Sequence, residues 1–381
     1  GVERCLFGNG KELHFKKLMD FDTIGGKSNK NGARFDLDAM YVNWLGLSLK
    51  CYLPKSENSL SYVWESLKGK ISYCNIKRLM FSSGWRYYAE IVVSGAAPTR
   101  VSIGTSTMGI DPGVSTIAGV SEDACVLEEL APNAIQYEKK IQKISQSMDR
   151  SRRISNPNKY NEDGTINRSN RDPWKYSKNY VKMCRLLKSL YRKKHAYIVD
   201  SHRKLCNKLI TIARYFPVEK MHFQALQKRA KETKRQEKKT EVKQKDGTVK
   251  VIQKYKRKKR FGRSINRRAP ARFLLELKRK AEAVGGVYAE VDTKEFKASQ
   301  YNHVTDTYEK IPLSQREKEI GNRKVQRDLY SAFLIRNADL DFKHPDREKC
   351  EYEFEHFANL QDQLILKMKE SGLSMRQCFG F

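Results

Sequence analysis

Between residues 85 and 93 the chain alternates strictly. Trp85, Tyr87, Ala89, Ile91 and Val93 fall on one face, and Arg86, Tyr88 and Glu90 fall on the other. Ser83-Gly84 ahead of them is a hairpin turn signal, so the period of two predicts a half-buried strand. The segments Tyr41 to Tyr52 and Ile71 to Phe81 alternate in the same way. Residues 1–103 are therefore expected to form a small β-rich domain, a barrel or a sandwich.

From Thr107 the pattern changes. Met108-Gly-Ile-Asp111 runs into a Pro112-Gly113 turn, Thr116 to Val120 is the next strand, and Ala124 to Leu127 returns after Ser121-Glu122-Asp123, a three-stranded meander. A helix is predicted over 133–149, then a polar, Asn-rich loop over 155–172. A second helix follows, on which Leu187, Tyr191, His195, Ile198, His202, Leu205 and Leu209 recur at spacings of three and four, opposite Arg185, Lys188, Arg192, Arg203 and Lys208. After a short strand at 214–220 comes the most biased stretch, Lys228 to Arg268, read as a low-complexity basic segment. Pro270 opens a helix striped by Phe273, Leu274, Leu277, Ala281 and Val284 and closed by Gly285-Gly286. A strand Val287 to Val291, an irregular polar segment to Arg323, a helix Val325 to Arg336 and a tail helix Glu351 to Met368 complete the chain. Three strands, helix, strand, helix, strand, helix is the element order of the RNase H-like fold, a mixed sheet with helices packed on it. The expected domains are a β domain at 1–103, an α/β domain at 104–340 with insertions (133–212 helical, 226–268 basic, 293–323 irregular) and a helical tail at 341–381.

Charge narrows the partner. Lysine and arginine number 75 against 44 acids in 381 residues, a net +31, which points to a polyanion. No run approaches the roughly 18 apolar residues of a spanning helix, and no signal-peptide pattern opens the chain, so nucleic acid is favoured over membrane. The eight cysteines are scattered without a C-x-x-C pair, which predicts reduced thiols in a cytoplasm and no zinc. The opening Gly-Val-Glu-Arg, without an initiator methionine, suggests that an N-terminal piece is missing.

Phosphodiester hydrolysis by two divalent ions needs converging carboxylates, the hard oxygen ligands magnesium prefers. An RNase H-like sheet can bring them from its first strand, fourth strand and last helix. Acids stand at each place: Asp111 ends the first strand, Glu219 lies in Pro217-Val-Glu-Lys-Met221, and Asp328 opens the last helix. Singly, an Asp before Pro-Gly is commonly a turn residue, and Asp328 a helix-terminal charge. As a set of three in a basic chain they predict a site for two magnesium ions, with manganese as a substitute. Arg192, Arg203, Lys256, Arg257, Lys258, Lys259, Arg260, Arg267 and Arg268 are the candidate nucleic-acid contacts.

These residues resemble a known family. Gly109-Ile-Asp-Pro-Gly-Val-Ser115 with Ala118 resembles the first RuvC motif of the transposon-associated TnpB nucleases and the compact type V CRISPR effectors similar to them. Val218-Glu-Lys-Met-His-Phe-Gln-Ala-Leu226 is similar to the second motif, and Gln326-Arg-Asp-Leu-Tyr-Ser-Ala332 to the third. The resemblance implies a wedge-like β-barrel at 1–103, a RuvC nuclease after it, a guide RNA, a target DNA and metal-dependent cutting, with Asp111, Glu219 and Asp328 as catalytic ligands. Two departures stand out. Where the family usually carries two C-x-x-C pairs, this chain has Ser299-Gln-Tyr-Asn-His303, and the family's helical recognition lobe ahead of the first motif is absent or truncated.

Other readings compete. A nuclease-inactive RNA-guided DNA-binding protein and a basic RNA-binding protein with a vestigial RuvC fold would carry the same charge; a transposon-encoded nuclease and a CRISPR effector are not separated by these residues. His195 and His202, on an apolar helix stripe, are read as core histidines rather than ligands. Trp85 and Tyr87 are read as strand-face core aromatics ahead of a base-stacking role.

Overall fold

The computed structural model of the chain describes residues 21–95, 97–99, 101–162, 164–227, 235–243, 248–255, 261–312 and 314–372. It divides into two compact units, one of Gly1–Arg100 with Tyr137–Lys194, the other of Val101–Gln136 with His195–Phe381.

In the first unit, β1 (Thr23–Gly25) pairs with the long hairpin of β5 (Ile71–Phe81) and β6 (Gly84–Val93). A second three-stranded sheet holds β2 (Arg34–Asp36), β3 (Tyr41–Trp44) and β4 (Leu47–Lys50). Among the described residues no strand pair joins the two sheets. They share a small core of Ala33, Phe35, Val42, Cys74 and Leu67, the last from α1 (Glu57–Leu67). The expected alternation on β6 holds at Ile91 and Val93, which pack on this core, but Tyr87 stands 68% exposed. Trp85 lies between the Arg78 guanidinium at 4.3 Å and the Lys188 ammonium at 4.5 Å. Near the hairpin end the face that should be core is thus covered by cations.

Two long helices, α2 (Ala134–Ser155) and α3 (Lys178–Ile212), run through both units in sequence. The loop between them is held by its asparagines. Asn156 donates to the carbonyls of Arg152 and Lys175 and accepts from Lys175 N, while buried Lys159 donates to Asn170 O at 2.9 Å and lies over Trp174. On α3 the expected stripe holds for Ile198, His202, Leu205 and Leu209 but not for Tyr191 and His195, which are exposed. The first part of the helix belongs to the other unit, where Ser189 and Leu190 are the buried positions. One helix serving two cores need not keep one stripe.

The second unit is built on a mixed sheet ordered β10-β9-β8-β11-β14. β7 (Ser106–Thr107) also pairs with β11 (Ala213–Glu219). β8 (Gly109–Pro112), β9 (Thr116–Val120) and β10 (Cys125–Glu129) form the expected antiparallel meander, and β11 and β14 (Val287–Val291) continue it in parallel. Both faces are covered. Met108, Ile110, Ile117, Val126, Phe216 and Val218 pack under Leu205 and Leu209 of α3 and under Phe273 and Leu277, while Ala118, Val120, Leu127 and Val291 pack on the opposite side against Leu329, Ala332, Phe333 and Phe357.

The rest of this unit fills in around the sheet. α4 (Phe223–Gln227) precedes an antiparallel hairpin of β12 (Arg235–Lys243) and β13 (Val249–Tyr255), within the stretch read as a low-complexity basic segment; β-branched Val249 and Val251, two apart on β13, give strand character despite the charge. α5 (Gly262–Arg268), α6 (Pro270–Ala283) and α7 (Thr293–Phe296) follow. The segment read as irregular carries two short hairpins, β15 (Tyr301–Asn302) with β16 (Thr307–Tyr308) and β17 (Glu317–Ile320) with β18 (Arg323–Gln326). Strands of two to four residues are too short to show a period. α8 (Arg327–Arg336) then crosses the sheet, and α9 (Arg347–Glu370) packs beside it through Cys350, Phe354 and Phe357.

Candidate active site

Period-two geometry and register bring the first two acids together. Val218 of β11 pairs with Ile110 of β8 in parallel, and both side chains point into the core beneath α3 and α6. The next residue on each strand must point the other way. Asp111 and Glu219 therefore stand side by side on the face that α8 covers, with fully buried Ala118 across from Asp111 on β9.

The third acid arrives on a helix that crosses unusually close. At Gly109 an added Cβ would lie 2.2 Å from the carbonyl oxygen of Ala332 and 2.3 Å from the backbone nitrogen of Arg336, so only glycine lets α8 approach β8 at this point. That approach sets Asp328, in the first turn of α8, over the strand ends. Gln326 caps the helix, its side-chain oxygen accepting from Leu329 N at 2.7 Å. The positive end of the helix favours a carboxylate there.

The three carboxyl groups interact. Burial pushes the Asp111 carboxyl well above the ordinary range; the charges of Glu219 and Asp328 and the hydrogen bond it donates to Glu219 push the same way, against the nearby Arg327. Burial also raises Glu219 and the Asp328 charge adds to this, while the hydrogen bond received from Asp111 opposes it. Two adjacent charges in a low-dielectric site repel, so both carboxyls sit above their ordinary range. Asp328 is held otherwise: Arg316 and Gln326 donate to its Oδ2 and Arg327 to its Oδ1, each at 3.3 Å. Arg327 also reaches the carbonyls of Pro312 and Gln315.

As they stand, no three His, Cys, Asp or Glu side chains among the described residues are gathered as a set that could hold a metal ion. The donor chemistry does fit a hard divalent cation, since these are carboxylate oxygens that repel one another, two of them raised above the ordinary range and the third held by two arginines. A cation would relieve that repulsion, once the acids are ionised and Asp328 turns from its arginines.

The candidate nucleic-acid contacts are placed unevenly. Arg203 is exposed and bonds Glu276 at 3.1 Å. Arg192 lies over the Phe81 ring at 3.8 Å and donates to Met80 O. Arg268 is paired with Glu129, its side chain only 12% exposed, and burial lowers its pKa. Arg267 is half-buried at the end of α5, and Lys256, Arg257, Lys258, Lys259 and Arg260 lie outside the described residues. Of the two histidines read as core, His202 is buried with its ring edge-on to Phe273, whereas His195 is exposed. At the departure from the family's cysteine pattern, His303 is buried among Tyr330, Phe333 and Phe354, its Nδ1 2.8 Å from the Tyr330 hydroxyl. Arg316, Gln326 and Arg327 were missed by sequence reasoning. The signal available for Gln326 was its place before the acid of the third motif, where a helix cap is needed.

No protein-family model matches the chain, and no curated protein matches it. Among solved structures it is similar to one described as the cryo-EM structure of a CRISPR-Cas12f ternary complex, with a TM-score of 0.34 and 13% sequence identity over 83% of this chain and 51% of that one. The chain thus spans about half the length of that neighbour.

Proposed function

We propose that the chain is a metal-dependent DNA endonuclease of the RuvC type, with an RNase H-like sheet and a wedge-like β domain, directed to its target by a bound RNA. The observation that supports the nuclease reading is that Asp111 and Glu219 stand side by side on neighbouring parallel strands and feel the charge of Asp328 at the start of α8. The excess of 31 positive charges supports a polyanionic substrate, and the ordered resemblance of three motifs supports guidance by RNA.

Asp111, Glu219 and Asp328 would hold the divalent ions, magnesium in the first place. Bound there, such ions activate water and neutralise charge on the leaving oxygen. The chain's own contribution is position. The parallel register of β8 and β11 fixes two carboxyl groups side by side, the glycine crossing sets the third above them, and Arg316 and Arg327 hold Asp328 until it is needed. The same arginines are placed to meet a phosphate that arrives beside the acids.

Asp111→Ala, Glu219→Ala and Asp328→Ala should each abolish magnesium-dependent cutting by the RNA-bound protein, with RNA affinity held within about twofold of the parent. Cutting at the parent's rate by any one variant removes that residue from the site. A parent that binds RNA and target DNA and never cuts points to the inactive, DNA-binding reading.

A further inference from the structure

Two fully buried glutamines connect the C-terminal helix to the third carboxylate. Gln361 of α9 accepts from the backbone nitrogen of Gln326 at 2.7 Å and donates to the carbonyl of Lys324 at 3.2 Å. Residues 324 and 326 are two apart on β18, so both groups lie on the same edge, the one facing away from β17. The carboxamide satisfies that edge as a neighbouring strand would. Gln326 passes the constraint on. Its side-chain oxygen is fixed by Leu329 N, which leaves its Nε2 facing Asp328 Oδ2.

We infer that Gln361 is a positioning residue for the metal-binding carboxylates, acting through Gln326 on Asp328, and that α9 is a working part of the site. This rests on the nuclease reading. A merely structural role would need no buried amide, because α9 is already fastened by the paired Arg336–Glu353 contact at 2.6 and 3.2 Å and by Arg323, which meets both Glu355 and Asn359. Those ties hold the helix on the sheet without touching the cap of α8. Gln361 alone among these residues bonds to the cap residue itself.

The test measures Mn2+ binding to the full chain, by the electron-spin signal of the free ion, alongside thermal unfolding. Gln361→Met fills the same volume without the bonds and should weaken Mn2+ binding by about 10–100-fold, the usual effect of losing a partner that orients a ligand, while the protein still melts cooperatively. Asn359→Ala, on the same helix, should leave Mn2+ binding within about twofold of the parent, and Gln326→Met combined with Gln361→Met should bind no more weakly than the worse single variant, as residues in one relay do. Unchanged Mn2+ binding by Gln361→Met, or an equal loss in Asn359→Ala, overturns the inference. A parent whose Mn2+ binding does not depend on Asp111 or Glu219 overturns the nuclease reading instead. Should Gln361→Met fail to melt cooperatively, Gln361→Asn, which keeps the amide one methylene short of its partners, is read by the same outcomes.

Discussion

The sheet of the second unit is sealed on both faces by helices, and large side chains such as Phe216, Phe273, Phe296, Phe333 and Phe357 are fully or almost fully buried there. The β domain of the first unit has a core of five small or medium residues with one phenylalanine among them, and it covers its outlying aromatics with cations: Arg78 and Lys188 on Trp85, Arg86 and Arg192 on Phe81. Dense apolar packing resists displacement by fractions of an ångström, which is what the proposed three-carboxylate site requires. Cation-covered aromatics are individually weak, about 0.5–2 kcal/mol each, and leave an open surface. The first kind of construction suits a site that must stay fixed. The second leaves cations exposed on a looser surface, as the proposed nucleic-acid partner would need.

The sharpest way to break this contrast is at glycine. Gly109→Ala forces a methyl group into the backbone of α8, so it should cost about 3 kcal/mol or more and abolish any cutting, as read by urea unfolding and a cleavage assay. Gly46→Ala in the first unit meets nothing within 4 Å and should cost only the strain of its φ of +79°, about 1 kcal/mol. Equal losses at the two positions would mean that the crossing at Gly109 has slack.

Acid separates the units next. Burial depresses both His202 and His303 to about 4, and every described histidine lies in the second unit. Above pH 6.5 these rings are neutral whether folded or not, and the stability is fully present. As pH falls from 6.5 toward 4 the unfolded chain takes up protons that the folded one refuses, and stability is lost, up to about 3 kcal/mol per ring. Hydrogen exchange should show the second unit opening before the first over that window, and His303→Phe should blunt the effect. Simultaneous opening of both units would count against a separate acid-sensitive core.

The smallest effect is expected at Lys188→Met, which removes one cation from Trp85 and the ion pair to Asp22 at 2.9 Å. About 0.5–1 kcal/mol should be lost at low salt and less at high salt, by thermal melting. A loss that salt does not change would assign Lys188 a packing role.

Much of this was readable in advance where residues signal locally. The turn at Pro112-Gly113, the alternation of β6 toward Ile91 and Val93 and the stripe of α6 announce their elements, and Asp111, Glu219 and Asp328 fall at the ends of two strands and the start of a helix, as the element order led one to expect. What escaped reading depends on distant partners. Gln361 is an unremarked polar residue on a charged helix until its 35-residue separation from Gln326 closes. The β12–β13 hairpin was hidden by its charge, because composition spoke louder than the β-branched alternation beneath it. His195 was misplaced because one helix, α3, was assumed to face one core.

The shared register of β8 and β11 has an indel consequence. Since neighbouring residues on a strand face opposite sides, adding or deleting a single residue ahead of Asp111 or ahead of Glu219 would swap that acid with the isoleucine or valine beside it, driving a carboxylate beneath α3 and α6 and an aliphatic chain into the site. The two strands therefore behave like text read in a frame of two: substitutions can be scattered through them, but length cannot change by one, and loops that lengthen must do so beyond the strand ends.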